Sequence, residues 1–206
     1  MRVCPQCNSQ FLGNAERCPI DGSFLRDLAP PDGGWSPLGI AFAPDGRLLV
    51  TDVTPGHHRV LVFDARGSLV SAFGTEGAGD GEFSFPNAVA VDRNGRIFVS
   101  DSNNRRVEVF DADGKLTSKI GGQRGRLAAP RGIGVDDHDR LYVVDTVGGT
   151  VQVFDVFDSP RLLFEFGGAP GSDGATSYPN GLALGAGGQV YVTDREGGRV
   201  QVWSAD

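Results

Sequence analysis

The chain has 206 residues, of which 39% are hydrophobic and 22% charged, with 31 glycines and 12 prolines spread between apolar runs. That balance excludes a disordered chain and is enough to bury a core. A net charge of −7 puts a phosphate polymer at a disadvantage unless the basic groups gather on one face. No apolar run approaches the ~20 residues of a membrane span, no secretory leader precedes Cys4, and so the expected address is cytoplasmic.

The first 22 residues hold all three cysteines. An odd number cannot all pair in disulfides, and in a reducing compartment such residues more often hold a metal. Cys4-Pro-Gln-Cys7 is one C-x-x-C turn, and Cys18-Pro-Ile-Asp21 repeats its form with a carboxylate in the fourth place. Three thiolates and one oxygen make a tetrahedral set that zinc accepts. His57, His58 or water are the other candidates for the fourth ligand. With four protein ligands the ion leaves no open position for chemistry, so this is expected to be one structural zinc. The segment CPQCNSQFLGNAERCPIDGSFL resembles the short zinc-ribbon modules of many bacterial proteins, with Asn8 where a glycine is usual.

Beyond residue 22 a single phrase returns. Pro37 opens PLGIAFAPDGRLLVTD, and related phrases open at Pro86, Pro130 and Pro179, at intervals of 49, 44 and 49 residues. Each repeat alternates apolar with other residues in short runs separated by turn signals such as Asn94-Gly95 and Asp113-Gly114. Four strands at this period predict an all-β propeller of four-stranded antiparallel blades, at about 37–73, 86–120, 130–166 and 179–203. The last repeat has no fourth strand after Trp203, whereas residues 23–28 (GSFLRDL from Gly22) match the fourth strands of the other repeats. A strand there is expected to pair beside Val200–Trp203 and close the ring. The chain is thus divided into a zinc-ribbon-like module at 1–22 and a propeller at 23–206.

The phrases P-x-G-I-A-V-D-x-x-G-x-[IVL]-[YF]-V-x-D and N-x-R-V-x-V-F-D, with the loop GAGDGEFSFP at 77–86, are similar to the NHL repeat. The resemblance implies a β-propeller, commonly of more than four blades. The chain is therefore expected either to close on itself as a monomer or to form an open arc completed by a second copy.

Connections between blades share a face with the loops that follow Asp52, Asp101, Asp145 and Asp194, and long loops on a rigid scaffold are where binding usually resides. The residues expected on that face are Trp35, His57, His58, Arg59, Asp80, Glu82, Phe83, Asn103, Asn104, Arg105, Arg106, Arg124, Arg126 and Arg199. Trp35 and Phe83 also suit a plain packing role, as plugs between blades. The four aspartates recur in every blade, which points to capping of their own loops more than to catalysis. Propeller lyases with similar repeats hold a metal by several histidines. Here His57 and His58 lie in a loop on one face and His138 in a turn on the other.

The functional expectation is a non-catalytic scaffold that binds a protein partner on the loop-rich face. The alternatives are a metal-assisted lyase or hydrolase at the axis, supported by the aspartate ring, and RNA binding through the loop arginines. RNA binding by this face is known in the family, but the interspersed carboxylates favour an acidic or mixed-charge protein.

Overall fold

The computed structural model describes residues 2–3, 6, 10–11, 20, 28, 30, 32–122, 127–168 and 174–204. Contacts divide the chain into two units, Met1–Gly34 and Trp35–Asp206. In the first, β1 (Arg2–Val3) pairs antiparallel with β2 (Gln10–Phe11). Cys4, Cys7, Cys18, Asp21 and residues 23–27 of the expected closing strand at 23–28 lie outside the described residues.

The second unit is the propeller. Blade one comprises β3 (Pro37–Phe42), β4 (Leu48–Asp52), β5 (Arg59–Phe63) and β6 (Leu69–Phe73). The connection onward carries a short parallel pair, β7 (Thr75–Glu76) and β8 (Glu82–Phe83). Blade two comprises β9 (Pro86–Val91), β10 (Ile97–Asp101), β11 (Arg106–Phe110) and β12 (Leu116–Gly121). Blade three comprises β13 (Pro130–Val135), β14 (Arg140–Asp145), β15 (Thr150–Asp155) and β16 (Arg161–Gly167). Blade four has β17 (Pro179–Leu184), β18 (Gln189–Asp194) and β19 (Arg199–Ser204), three strands among the described residues. All blade pairings are antiparallel between consecutive strands, as the tight turns dictate.

Those turns have a local cause. Asp92 Oδ1 accepts from the backbone N–H of Asn94 and Arg96, at 2.9 and 2.8 Å, and Gly95 takes φ +82° to complete the bend. Asp64, Asp111 and Asp136 repeat this Asx geometry. In blade three the place of the turn glycine is taken by Asp139, which holds the left-handed φ of +58°. Its buried carboxylate receives Arg93 Nη2 at 2.9 Å and Arg96 Nη2 at 2.8 Å from blade two, which offsets the backbone strain.

Blades stack through their faces. Val60 and Val62 of blade one meet Val89, Ile97, Val99 and Phe110 of blade two; Val107 and Val109 meet Ile133, Leu141, Val143 and Phe154 of blade three; Val151 and Val153 meet Val190 and Val192 of blade four. First strands approach closely at the axis, so that a Cβ on Gly132 would lie 2.6 Å from the Asn180 carbonyl oxygen. The packing runs from β3 to β9 to β13 to β17, and among the described residues no comparable packing returns from β17 to β3. Consistent with this, Ile40 and Phe42 on the outer face of blade one are 65% and 70% exposed, and Val200 and Val202 on that of blade four are 59% and 58% exposed.

Candidate functional site

The loop-rich face is built around the aspartates that end the second strands. Asp52 accepts from Ser36 N (3.0 Å), Thr54 N (3.0 Å), Thr54 Oγ1 (2.6 Å) and Arg59 Nε (3.1 Å). Asp101 accepts from Ser84 N, Asn104 Nδ2 and Arg106 Nε, and Asp145 from the N–H groups of Ala128, Ala129 and Gly148. Asp194 accepts from Ser177 N, Tyr178 N, Gly197 N and Arg199 Nε. Each carboxylate therefore ties the preceding inter-blade loop to its own blade, and its lone pairs are occupied by structural donors. Burial works against ionisation of Asp52 and Asp194, but the hydrogen bonds prevail and their pKa values are lowered. For Asp101 burial prevails over Asn104, Ser84 and Arg106, and its pKa is raised.

Blade two departs from its sisters. Where the others carry Leu61, Gln152 and Gln201, the middle of its third strand carries Glu108, fully buried. Glu108 Oε1 accepts from Gly81 N at 3.1 Å and lies 3.4 Å from Arg106 Nη2, while Oε2 is buried with no partner. Burial pushes its pKa up to about 7; Gly81 and Arg106 hold it down, and the charges of Asp101 and Asp80 raise it. Arg106 is the hub of this cluster. Besides Asp101 it donates to the carbonyl oxygens of Ala78, Gly79 and Glu82, holding the loop between blades one and two in place.

The residues expected on the binding face thus separate into two groups. Phe83 is fully buried in the joint between blades one and two, with ring contacts to Phe73 and Phe110, and Trp35 packs on Phe63 at 5.9 Å. Arg106 is buried, and so is His58, whose Nδ1 accepts from Phe85 N at 3.3 Å. Arg59 and Arg199 are tied to Asp52 and Asp194, and Asn104 to Gly77 O and Asp101. His57, Asp80, Asn103 and Arg105 are exposed, with Asp80 paired to Lys119, and Glu82 is half-buried with Oε2 accepting from Gly79 N. Arg124 and Arg126 lie outside the described residues. His138 is on the β13–β14 turn, away from His57 and His58.

A second cluster on this face joins Arg131, one of the loop-face arginines of the RNA-binding alternative, to residues not singled out in the sequence. Arg131 donates from Nη1 to Asn180 Oδ1 at 3.0 Å and from Nη2 to Tyr178 Oη at 2.9 Å. The guanidinium carbons of Arg131 and Arg195 each lie 5.2 Å from the centre of the Tyr178 ring. Its signal was available by aligning the repeats: the residue after the anchor proline is Leu38, Asn87, Arg131 and Asn180 in turn, and the residue after the strand-end aspartate is Val53, Ser102, Thr146 and Arg195.

At the axis the first strands line a hollow of about 280 Å³, with Phe42, Val91, Val135 and Leu184 in its wall and no titratable side chain there among the described residues. It lies toward the turn face, at the far ends of the first strands from the loops.

Residues 35–63, 83–110 and 176–203, on blades one, two and four of the four-bladed propeller, each match the NHL repeat. The chain is similar to human E3 ubiquitin-protein ligase NHLRC1, 34% identical over 96 residues that cover 44% of this chain and 24% of that protein. It is also similar to Protein lin-41 of Caenorhabditis elegans, 47% identical over 55 residues that cover 27% of this chain and 5% of that one. The chain therefore matches a quarter or less of the length of these relatives. Among solved structures, a catalytically inactive virginiamycin B lyase from Staphylococcus aureus superposes with a TM-score of 0.67 at 17% identity, over 90% of this chain and 61% of the lyase chain. That likeness defines the fold alone.

Proposed function

We propose that the chain is a protein-interaction scaffold that binds a partner protein on the loop-rich face of its propeller. The observation that carries this reading is the contrast between the two ends of the axis. One end is a hollow whose wall, among the described residues, carries no acid, base or ligand side chain, while the other presents polar side chains on loops held rigid by four buried aspartates. A preorganised surface loses little entropy on binding. The likeness to an E3 ubiquitin-protein ligase adds support for a protein partner.

Photo-crosslinking in the source cell tests it, with the crosslinker placed at Asn103 or Arg105 on the loop face, or at exposed Asp113 in a turn on the opposite face. One reproducible protein adduct from the first two positions and none from the third is the expected outcome. RNA adducts from Arg105, or equal adducts from both faces, would refute it.

For the amino-terminal module we propose one structural zinc on Cys4, Cys7, Cys18 and Asp21, the donor types that zinc accepts. Native mass spectrometry is expected to show one zinc per chain, removed by a strong chelator and absent in Cys18→Ser. A metal-free chain would show that the thiols serve no ion.

A further inference from the structure

We infer that Arg131, Tyr178, Asn180 and Arg195 form a carboxylate-binding site, which takes an acidic side chain of the partner proposed above and so rests on that reading of the face. The cluster breaks the repeat: at the corresponding positions blade two has Asn87 and Ser102 and blade one has Leu38 and Val53. Among the described residues, only at the joint of blades three and four do these positions set two guanidinium groups around one aromatic ring.

Its charge is uncompensated. Arg59, Arg93, Arg96, Arg106, Arg140 and Arg199 all meet a carboxylate, whereas Arg131 and Arg195 have no ion pair among the described residues. The nearby carboxylates are committed elsewhere, Asp145 to three backbone N–H groups and Asp194 to three more and Arg199. Glu196, next in sequence to Arg195, is exposed and forms no ion pair either. Two like charges held about one ring repel each other unless an anion joins them.

The donors are also arranged in advance. Two of the five N–H groups of Arg131 are used to fix its plane against Asn180 and Tyr178. Arg195 is exposed; its backbone N–H donates to the Tyr178 carbonyl oxygen at 3.1 Å and its guanidinium stacks on the Tyr178 ring. The Thr146 hydroxyl donates to the Pro179 carbonyl oxygen at 2.7 Å, which ties the loop after β14 to the start of β17. A planar guanidinium suits a carboxylate in a forked geometry. Among the described residues the positive patch is two residues wide, with buried aspartates on both sides and a chain of net charge −7 around it, so a short acidic segment fits better than a long polyanion.

Fluorescence anisotropy on the whole chain tests this with three labelled probes: an octapeptide of alternating Glu and Gly, its Gln counterpart, and an eight-nucleotide uridine oligomer. The Glu peptide is expected to bind about tenfold tighter than the Gln peptide. Arg195→Gln and Arg131→Gln should each weaken it about tenfold. Arg47→Gln, at a turn on the opposite face, should leave it unchanged. Because Arg131 also packs, Arg131→Lys, which keeps the charge and loses the fork, is expected to fall between wild type and Arg131→Gln. Equal affinity for the Glu and Gln peptides, or a Glu affinity unaltered in Arg195→Gln, overturns the inference. Tighter binding of the uridine oligomer, lost in the same variants, overturns it in favour of nucleic acid. The two readings fail separately: a crosslinked partner that still binds the Arg131→Gln, Arg195→Gln double variant removes the carboxylate site and leaves the interface. Glu-peptide binding without any crosslinked partner does the reverse.

Discussion

Val151 and Val153 in blade three and Val200 and Val202 in blade four occupy the same register of the same strand in neighbouring repeats. The first pair is buried against Val190 and Val192, while the second is more than half exposed. Ile133 and Ile40 make the same contrast on the opposite faces, at 8% and 65% exposure. The strand pattern is identical in each pair, so burial in this protein depends on whether a following or preceding blade covers the face. An interior blade converts its alternating valines into core, and a terminal one presents them as surface.

The largest expected effect sharpens this contrast. Phe98→Ala, at the fully buried centre of blade two, should cost about 3–5 kcal/mol in urea denaturation. Next, Arg106→Ala strands the buried Asp101 and Glu108 and frees the 77–83 loop, at about 3 kcal/mol. Arg199→Ala, the corresponding change in blade four, should cost less than about 1 kcal/mol because its side chain is half exposed.

Glu108 brings pH into the comparison. Its folded pKa, about 7, lies above the ordinary glutamate value, so between about pH 4.5 and 7 the folded state binds more protons than the unfolded. The stabilisation from its protonated form is complete below the unfolded value and is lost as pH rises through 7. Glu108→Gln should therefore be more stable than wild type at pH 8, on the order of 1–3 kcal/mol, and the gap should close by pH 4.5. An equal gap at both values would mean that the carboxyl ionises normally. Asp139→Gly relieves a left-handed backbone but releases Arg93 and Arg96, for a net loss of about 1 kcal/mol in the same assay.

The smallest effect bears most directly on the terminal faces. Val202→Ala should cost under about 0.5 kcal/mol. A loss as large as that of Val153→Ala would break the contrast and mean that the face is covered in solution, which sedimentation would trace to a second copy if the loss depended on concentration.

How far each feature could be read in advance follows the range of the interactions behind it. The strands, the turns at Asp92 and Asp111 and the loop-tying role of Asp101 were legible because their partners lie within one repeat or its adjoining loop. Arg105 and Arg106 were not separable in sequence, yet one is exposed and the other is the buried hub of a loop. Phe83 and Trp35, read as either contacts or plugs, pack as plugs, since only neighbouring Phe110 and Phe63 decide between those roles. The Arg131–Tyr178–Arg195 cluster joins residues 47 or more positions apart in Arg131 and Tyr178, across two blades, and no single repeat contains it.

The sequence by itself determined the four repeats, their antiparallel strands and the aspartate that ends each second strand, because period-two alternation and Asx turns act through neighbours a few residues away. Only the tertiary structure decided which identical valines are core and which are surface, which arginines are spent inside and which remain unpaired, and that Glu108 is sealed from water. Those outcomes depend on the blade packed alongside, and a chain of near-identical repeats does not record which of its faces has a neighbour.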